Sequence, residues 1–369
     1  MRVLVVNAGS STLKLTLLDD DDRVLHAREL KASGGAVERD ELKATLADGL
    51  GQADVVGHRI VHGGERFAEA VVVDADVQAA LRALVDLAPL HQPKSLAALD
   101  AVCEALPDVA AVACFDTAFH ATLPGAARTY ALPASWRKRW GVRRYGFHGL
   151  SHAWIARRAH ELLGESDAAL RIVSCHLGAG ASLCAIAGGN SIDTTMGFTP
   201  LEGLVMATRS GSVDPGALLW LLEHTEMDER DLARALEHES GLLALAGSAD
   251  MREVLTRAQT DDEDAALALD VYLHRLCAGI AAMSASLGGL DVLVFTGGVG
   301  ENSPQVRAGA GRRLDFLGVG IDDRPNADEA GDREITAPGA DVRTLVIRAR
   351  EDLEIARQVR QLFTRRRGR

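Results

Sequence analysis

The chain begins with an uninterrupted apolar run at residues 3–6, and apolar residues then alternate with polar ones at Leu13, Leu15 and Leu17. A short continuous apolar run is typical of a fully buried strand, and strict alternation is typical of a half-buried one. Small polar residues separate the two segments. The pattern therefore predicts a β-hairpin at the start of the chain.

Residues 172–186 have the same plan, with an apolar strand, a small-residue turn and a second apolar strand. When the two segments are aligned, Asn7 corresponds to His176 and Gly9 to Gly178. The copies lie about half the chain apart. This spacing predicts two related domains, each of which begins with a hairpin.

The rest of the chain alternates between strand-like and helical segments. Further apolar, strand-like runs occur at 71–73, 110–115, 172–175, 292–295 and 344–347. Helical periodicity covers residues 76–88, 95–105, 151–163, 216–224, 264–287 and 350–364. Strands that alternate with helices predict an α/β fold. The longest apolar-striped segment, 264–287, is predicted to be either central packing or a dimer face.

Composition narrows the class of protein. The 369 residues are long enough for about two domains. A formal net charge of −12 argues against general nucleic-acid binding, because phosphate backbones attract basic surfaces. The five cysteines lack CxxC spacing and are predicted to be small buried hydrophobic residues. No signal peptide and no unbroken run of 18 apolar residues is found, which predicts a cytoplasmic protein without a membrane partner.

The turn of the first hairpin carries candidate phosphate-binding chemistry. Gly9, Ser10, Ser11 and Thr12 supply backbone N–H groups and hydroxyls, and Lys14 supplies charge. An ordinary hairpin turn is the alternative interpretation, since small-residue turns are common.

Two strand ends carry charged residues that suit an anionic substrate. Arg59 lies between His58 and His62 and before two glycines, and it could hold a carboxylate or phosphate bidentately. A buried structural ion pair is the alternative for this arginine. Asp116 follows an apolar strand, where ligand sites of α/β proteins commonly lie.

Two glycine-rich segments supply further candidates. Gly146 and Gly149 bracket His148 just before a predicted helix. Residues 193–216 are long, rich in glycine and low in regular pattern, which indicates an ordered functional loop. Arg209 in this loop is a second candidate for binding an oxyanion.

Nine motifs occur in the order typical of the acetate kinase family, from residue 3 to about residue 357: NAGSSTLK, HRIVHGGE, LAPLH, FDTAFH, YGFHGLSH, HLGAGAS, FTPLEGLVMATRSGSVDPG, FTGGVGENS and REDLEIA. The chain thus resembles that family over most of its length. The resemblance implies two ribonuclease-H-like domains of the actin, sugar kinase and heat-shock chaperone superfamily around a nucleotide cleft. It implies an acceptor and phosphate domain at 1–118 plus 353–369, and a nucleotide-binding domain at 119–352.

The resemblance also implies roles for particular residues. The catalytic set would be Arg59, Asp116, His148 and Arg209. The acyl-substrate set would be Arg59, Val61, Leu90, Phe147 and Pro200. Residues that contact ATP or ADP would be Lys14, His176, Leu177, Gly178, Ala179, Gly180, Asp250, Met251, Arg252, Gly298, Val299, Gly300, Glu301 and Asn302. Asn7 and Glu351 would hold Mg²⁺ or Mn²⁺, and the chain would form a homodimer.

The implied reaction is reversible transfer of a phosphoryl group from ATP to acetate, which gives acetyl phosphate and ADP. Propionate and butyrate are alternative acids, because one methylene changes binding in an apolar pocket by only about 1–3 kcal/mol. A sugar kinase is disfavoured, since an alcohol acceptor needs a base. A non-catalytic, nucleotide-switching module of the same superfamily is an alternative of another class.

Some positions differ from the pattern that is usual in the family. Thr12 replaces a serine, Ala179 replaces an asparagine, and residues 91–94 read HQPK instead of HNPA. The chain is also shorter than most members between residues 19 and 55. These differences bear on substrate range and nucleotide affinity and leave the reaction class unchanged.

Overall fold

The structure is a computed structural model that describes residues 1–9, 12–31, 39–88, 92–164, 170–328 and 331–367. The chain forms two compact units, of which unit 1 comprises residues 1–121, 147–154 and 350–369 and unit 2 comprises 122–146 and 155–349. Unlike the predicted ranges, unit 1 includes 119–121, 147–154 and 350–352. The reason at 147–154 is local packing, because Gly149 N donates to Asp116 O at 2.9 Å and Leu150 is buried in the core of unit 1.

The strands of unit 1 are β1 (Val3–Ala8), β2 (Thr12–Leu18), β3 (Val24–Lys31), β4 (Val55–Ile60), β5 (Val71–Val72) and β6 (Ala110–Phe115). The strands of unit 2 are β7 (Arg171–Leu177), β8 (Ala181–Ala187), β9 (Asn190–Thr194), β10 (Val292–Thr296), β11 (Arg333–Glu334) and β12 (Arg343–Val346).

The helices within residues 1–163 are α1 (Arg39–Ala47), α2 (Ala75–Arg82), α3 (Gln92–Ala105), α4 (Gly125–Arg128), α5 (Ala134–Trp140) and α6 (Gly149–Leu163). Those that follow are α7 (Pro215–His224), α8 (Glu229–His238), α9 (Gly241–Ala246), α10 (Met251–Arg257), α11 (Glu263–Leu287), α12 (Gly297–Asn302), α13 (Pro304–Arg313), α14 (Asp323–Ala327) and α15 (Glu351–Arg367). Short 3₁₀ helices cover Leu50–Gln52, Val85–Leu87, Ala118–Thr122 and Asp315–Leu317.

The two units contain sheets of the same topology. In unit 1 the strand order is β3-β2-β1-β4-β6-β5. The first three strands form an antiparallel meander, β4 and β6 run parallel to β1, and β5 is an antiparallel edge. In unit 2 the order is β9-β8-β7-β10-β12-β11, with the same directions at each step. The prediction of an α/β fold with a repeated hairpin is therefore confirmed.

The repeat is not identical at the turn. Ala8 pairs with Leu13 in the first hairpin, and Leu177 pairs with Ala181 in the second. Four residues separate the first pair in the sequence and three separate the second. The alignment made from the sequence therefore holds on the first strand of each hairpin and shifts by one residue on the second strand.

Both faces of the sheet in unit 1 are covered, which explains the unbroken apolar run of β1. Leu4 and Val6 belong to a core cluster with residues of α1 and α3. Val3 and Val5 point to the opposite face and pack with α15. A side chain at Gly57 would collide with Ile355 of α15, so glycine permits the close approach of this helix to β4. The sheet thereby holds the carboxyl ends of β1, β4 and β6 in fixed positions.

Helix α11 is the central helix of unit 2, where it packs against β7, β8, β9 and α9. Among the described residues it is the one helix long and apolar enough to cross a membrane by length and composition, and 39% of its most apolar window is buried. Asp262 caps its first turn by accepting from Ala265 N at 3.0 Å. Because Ala268, Leu276 and Ile280 are buried in the unit, we interpret α11 as a core helix.

Candidate functional site

Arg59 and Asp116 form a buried ion pair at the carboxyl end of the sheet in unit 1. Arg59 lies within β4, one residue before its end, and Asp116 directly follows β6. The guanidinium donates from Nη2 to Asp116 Oδ2 at 2.7 Å and from Nε to both carboxylate oxygens at 3.1 Å. The Asp116 side chain is 1% exposed and the Arg59 side chain is 16% exposed. A buried ion pair is therefore present, and the substrate-binding role of Arg59 stays a prediction.

The same guanidinium contacts the two predicted metal ligands. Arg59 Nη1 donates to Asn7 Oδ1 at 3.1 Å and lies 3.7 Å from Glu351 Oε2. Asn7 Nδ2 donates to Glu351 Oε2 at 2.9 Å. Because Asn7 lies on β1 and Glu351 is the first residue of α15, the network joins three parallel strands and one helix. The structure therefore brings four of the predicted residues together in unit 1.

Burial and charge act in opposite directions on this pair. Burial lowers the pKa of the Arg59 guanidinium, but the charges of Asp116 and Glu351 outweigh it and raise the pKa above its ordinary value. Burial raises the pKa of the Asp116 carboxyl, and the arginine opposes this shift by favouring the carboxylate. The arginine stays a cation, since guanidinium groups do not lose their proton in proteins. Asp116 therefore fixes the orientation of a positive charge at this edge.

The donors near Arg59 are of the kind that Mg²⁺ prefers. The Asn7 amide oxygen and the Glu351 carboxylate are hard oxygen ligands, and Mg²⁺ commonly takes one or two carboxylates and keeps several waters. The Glu351 side chain is 13% exposed, so its carboxylate is partly accessible to solvent. The residues present thus fit a magnesium or manganese ion. An ion at Asn7 Oδ1 would compete with the hydrogen bond that this oxygen accepts from Arg59 Nη1.

His148 adopts a left-handed backbone conformation in unit 1, with φ of 56°. A positive φ is uncommon for a residue other than glycine and is concentrated at functional sites. The turn is held by its neighbours. Phe147 O interacts with His120 Nε2 at 3.0 Å, and His148 O accepts from His152 N at 2.9 Å. His148 is partly exposed in this turn.

The residues predicted for the acyl group fall into three places. Val61 and Phe147 are buried in unit 1, where Phe147 packs edge-on against His62 with ring centroids 5.5 Å apart. Pro200 lies in unit 2, and Leu90 lies outside the described residues. Gln92 secures this part of unit 1, because its amide accepts from His62 N and donates to His62 O, both at 3.1 Å.

Unit 2 contains a cavity of about 820 Å³ next to the second hairpin turn. A volume of this size suits a small-molecule ligand. Eight of the predicted nucleotide contacts line it: Gly178, Ala179, Asp250, Met251, Arg252, Gly298, Val299 and Asn302. Further lining residues that the sequence did not indicate are Ala207, Leu242, Ala249, Leu255, Thr256, Gln259, Tyr272, Ser303 and Gln305. Apolar side chains from α9, α10 and α11 thus form the walls behind the small-residue turn.

The other predicted nucleotide contacts do not line this cavity. His176, Leu177 and Gly180 belong to the hairpin that carries the turn, and Gly300 and Glu301 lie on α12. Glu301 Oε1 accepts from Gly297 N and from Ala349 N, both at 2.9 Å. Glu301 Oε1 therefore holds the first residue of α12 in place and is already occupied by two backbone donors.

Asp250 and Arg252 form a pair at the rim of the cavity. Asp250 caps α10, and Arg252 donates to it from Nε at 3.0 Å. The hydrogen bond from Arg252 lowers the pKa of Asp250 to about 2. The carboxylate is therefore ionised throughout the physiological range.

Lys14 is placed on β2 opposite Asn7 in unit 1. Its side chain is 61% exposed, and Nζ lies 3.9 Å from Glu29 Oε2. In the first turn, Gly9 N donates to Thr12 O at 2.8 Å, while Ser10 and Ser11 lie outside the described residues. The nucleotide role of Lys14 and of this turn stays a prediction.

Arg209 is held inside the predicted functional loop of unit 2. Its Nη1 donates to Pro200 O at 3.2 Å, so two residues predicted for catalysis and substrate binding are adjacent. Burial lowers the pKa of the Arg209 guanidinium, and the nearby Glu237 carboxylate opposes this shift. Met206 N donates to Arg209 O at 3.2 Å and Leu242 N donates to Met206 O at 3.0 Å, which ties the loop to α9.

A family model described as the acetokinase family matches residues 26–357. This range covers most of the chain. The chain belongs to the acetokinase family. An acetate kinase from Nostoc punctiforme is 43% identical to this family member, with 98% of this chain and 100% of the relative covered. An acetate kinase from Clavibacter sepedonicus is 45% identical, with 96% and 98% covered.

Two solved kinase structures have the same fold as this chain. The crystal structure of an acetate kinase from Porphyromonas gingivalis matches with a TM-score of 0.89 at 34% identity, covering 98% of this chain and 99% of that one. A propionate kinase from Francisella tularensis matches with a TM-score of 0.90 at 33% identity, covering 97% and 98%. The similarity extends over both units of the chain.

We expect Asp116→Ala to lower the free energy of unfolding of this acetokinase by about 3 kcal/mol, because it leaves the buried Arg59 without its main partner. Urea-induced unfolding measures this change. Asp100→Ala is the matched control, since Asp100 pairs bidentately with Arg82 in the same unit, but the two side chains are 41% and 53% exposed. The control should lose no more than about 1 kcal/mol. Equal losses in the two variants would contradict the energetic role given to the buried pair.

Proposed function

We propose that the protein is an acetate kinase, which transfers a phosphoryl group between ATP and acetate. The observation that carries this proposal is 41–45% identity to acetate kinases over nearly the whole chain. In the forward direction an acetate oxygen forms a bond to the γ-phosphorus, and the bond from that phosphorus to the β,γ-bridging oxygen breaks. The products are acetyl phosphate and ADP, and no proton has to move.

The chemistry explains why we assign cations, and not a general base, to the reaction. A small carboxylic acid is already ionised at neutral pH, so the acceptor needs no deprotonation. The barrier comes from bringing two anions together and from charge on the transferring phosphoryl group. Positive charges and hydrogen-bond donors fixed in advance lower such a barrier. Arg59, Arg209 and His148 are the groups that we assign to this task.

In unit 1, we assign Arg59 to the substrate carboxylate and the phosphoryl group. Three hydrogen bonds to Asp116 hold its guanidinium, which supports a role for Asp116 in orientation and not as a proton acceptor. His148 would donate from its strained turn, and Val61 and Phe147 would contact the acyl group. Asn7 and Glu351 would hold Mg²⁺ or Mn²⁺, which supplies positive charge that offsets the phosphate oxygens.

In unit 2, we assign the cavity of about 820 Å³ to ATP and ADP. Its walls are apolar near Met251, Leu255 and Val299, which suits the adenine ring. Gly178 and Ala179 of the hairpin turn also line the cavity, and their small size suits the phosphates. Ala179 has no side-chain donor, so backbone groups would carry phosphate binding there. Arg209 would supply the second cation of the transition state.

Propionate kinase activity is the second candidate function. The observation in its favour is the match to a propionate kinase from Francisella tularensis, which is as good as the match to the acetate kinase from Porphyromonas gingivalis. An extra methylene in an apolar pocket changes the free energy of binding by only about 1–3 kcal/mol. The two activities therefore differ in rate and not in mechanism.

Trapping of the acyl phosphate with hydroxylamine tests both candidates. The purified protein is incubated with ATP, magnesium and either acetate, propionate or butyrate, and the acyl hydroxamate is measured by its ferric complex. We expect the highest kcat/KM with acetate. A higher value with propionate would favour the second candidate, and no hydroxamate from any acid would refute the kinase.

Arg209→Ala should lower kcat by about 10²–10³-fold, which is the effect of losing one donor to a developing oxyanion. The KM for ATP should change little if the arginine acts in the transition state. The same hydroxamate assay measures the loss. Arg230→Ala on the exposed surface of α8 is the control in the same unit and should keep full activity. Near-normal kcat in Arg209→Ala would show that the assignment is wrong.

We also propose a homodimer in the cytoplasm. Helix α7 supports the contact, because its sequence PGALLWLLEH is apolar and none of its residues is buried within the chain. Leu219 and Trp220 are 61% and 55% exposed. Large exposed apolar surfaces mark interaction sites. A second copy of α7 would cover this surface.

Light scattering measures the oligomeric state directly. The wild-type protein should have about twice the chain mass of 39.2 kDa. Trp220→Glu should shift it to the monomer mass, because a buried charge in an apolar interface is unfavourable. Leu25→Glu, on a strand of unit 1 where Leu25 is 45% exposed, is the control and should leave the mass unchanged. A dimeric Trp220→Glu would exclude α7 from the interface.

A further inference from the structure

Three side chains of unit 2 form a polar cluster that the catalytic assignment does not use. Tyr130 Oη donates to Glu202 Oε2, and Arg144 Nη2 donates to Glu202 Oε1 at 2.8 Å. The Arg144 guanidinium also lies over the Tyr130 ring, 5.5 Å from its centroid. We call Tyr130, Arg144 and Glu202 the tyrosine–arginine–glutamate cluster.

The cluster is largely withdrawn from water. The side chains of Arg144 and Glu202 are 16% and 34% exposed. Burial raises the pKa of the Tyr130 hydroxyl, and its hydrogen bond to Glu202 raises it further. The phenol therefore stays protonated and remains a donor at neutral pH. A partly buried, charge-assisted pair of this kind is stronger than an exposed one.

The cluster connects residues 195–202, which have no regular secondary structure, with residues on both sides of α5. Arg144 Nη1 donates to the carbonyls of Thr195 and Met196, both at 3.1 Å. Phe198 N donates to Tyr130 Oη at 3.0 Å. Gly197 O in turn accepts from Tyr145 N at 3.0 Å. The segment 195–202 is thus bound at four consecutive residues to the segment 130–145.

Gly197 shows how closely the two stretches approach. A Cβ at this position would collide with the Glu202 carboxylate and with the Tyr130 hydroxyl. The glycine therefore provides the space in which the cluster forms. A larger residue would push Glu202 away from its partners.

The bound segment carries the carbonyl that holds Arg209. Pro200 lies between the residues that the cluster fixes, and its carbonyl accepts from Arg209 Nη1 at 3.2 Å. Ser212 N donates to Gly203 O, and Gly203 N donates to Ser212 Oγ. These bonds join the two ends of the segment 203–212, which contains Arg209. A shift of residues 198–202 would therefore move one hydrogen-bond partner of the Arg209 guanidinium.

We propose that the tyrosine–arginine–glutamate cluster positions Arg209 for phosphoryl transfer, with Glu202 as the residue on which the other two converge. The inference rests on the proposed kinase activity and on the assignment of Arg209. Glu202 is a positioning residue, since it acts on Arg209 through the loop. Displacement of a catalytic group by about 1 Å is enough to lower a rate about 10²-fold.

Glu202→Ala and Glu202→Gln test this proposal in the hydroxamate assay. We expect Glu202→Ala to lower kcat by about 10²-fold. The KM for ATP and the Kd for ADP should stay near wild-type values, because the nucleotide cavity has none of the three cluster residues in its wall. Glu202→Gln keeps one acceptor oxygen, which can serve one of the two partners, and should recover part of the rate. If Glu202→Ala lowered ADP affinity and Tm together with kcat, the role of Glu202 would be merely structural. This result would overturn the proposal.

Glu334→Gln is the matched control, because Glu334 accepts from Arg343 Nε at 3.0 Å and from Nη2 at 2.7 Å in the same unit. It changes the same side chain in a similar ion pair away from the loop. We expect wild-type kcat from this variant. A loss as large as that of Glu202→Gln would overturn the specific role of the cluster.

A double-mutant cycle with Arg209→Lys isolates the connection to the arginine. If Glu202 acts through Arg209, the loss caused by Glu202→Ala should shrink at least about tenfold in the Arg209→Lys background. If the two substitutions act independently, the product of their separate fold losses in kcat should equal the loss of the double mutant to within about twofold. This result would refute the coupling. If Glu202→Ala does not fold, Tyr130→Phe replaces it, because it removes one donor to Glu202 and keeps the ring. We expect Tyr130→Phe to lower kcat about tenfold, and the same double-mutant cycle with Arg209→Lys applies to this loss. An inactive wild-type protein would refute the kinase itself, whereas an active wild type with unaffected variants would refute only the positioning role.

Discussion

The ion pair between Arg59 and Asp116 is the constraint on which the candidate site of unit 1 depends. A carboxylate that is 1% exposed would be costly if it were alone, and the guanidinium supplies three hydrogen bonds to it. The pair also connects the ends of β4 and β6, while Asn7 and Glu351 extend it to β1 and α15. An arginine in this position cannot turn freely. The fold thus presents a fixed cation, which is what transfer between two anions requires.

The duplicated sheet shows how one scaffold supports two kinds of site. Following the strand registers, Asn7 corresponds to His176, Arg59 to Thr296 and Asp116 to Ala349. The buried ion pair of unit 1 is therefore replaced in unit 2 by a small hydroxyl residue and an alanine. Ala349 N donates to Glu301, which lies near the end of α12, so the backbone of this edge is held by a carboxylate from a neighbouring helix. Removal of the two large charged side chains leaves room at this edge, where Gly178 and Gly298 line a cavity.

The pattern of apolar residues predicted the sheets better than the site. The hairpin repeat and the helices near 95–105, 151–163 and 264–287 follow from local periodicity, which depends only on neighbours in the sequence. Strand β3 has seven exposed residues and no clear alternation, so the pattern did not indicate it. Arg59 was predicted at the end of a strand whose bounds the pattern did not give, because the polar residues around it hide β4. The interaction of Asn7 with Glu351 spans 344 residues, and no local pattern contains such a contact.

The loop that carries Arg209 shows why the irregular segments were the hardest to interpret. Its backbone groups are paired, but their partners are the side chains of Tyr130 and Arg144 and the segments at α8 and α9. Order in this loop therefore comes from polar contacts between residues far apart in the sequence, whereas a helix obtains it from residues four apart. Gly197 and Gly241 are needed where these contacts bring chains close together, since a side chain at either would collide with its partner segment. A glycine-rich stretch without periodicity can thus be as well determined as a helix, and its glycines then mark the points of closest approach and not flexibility.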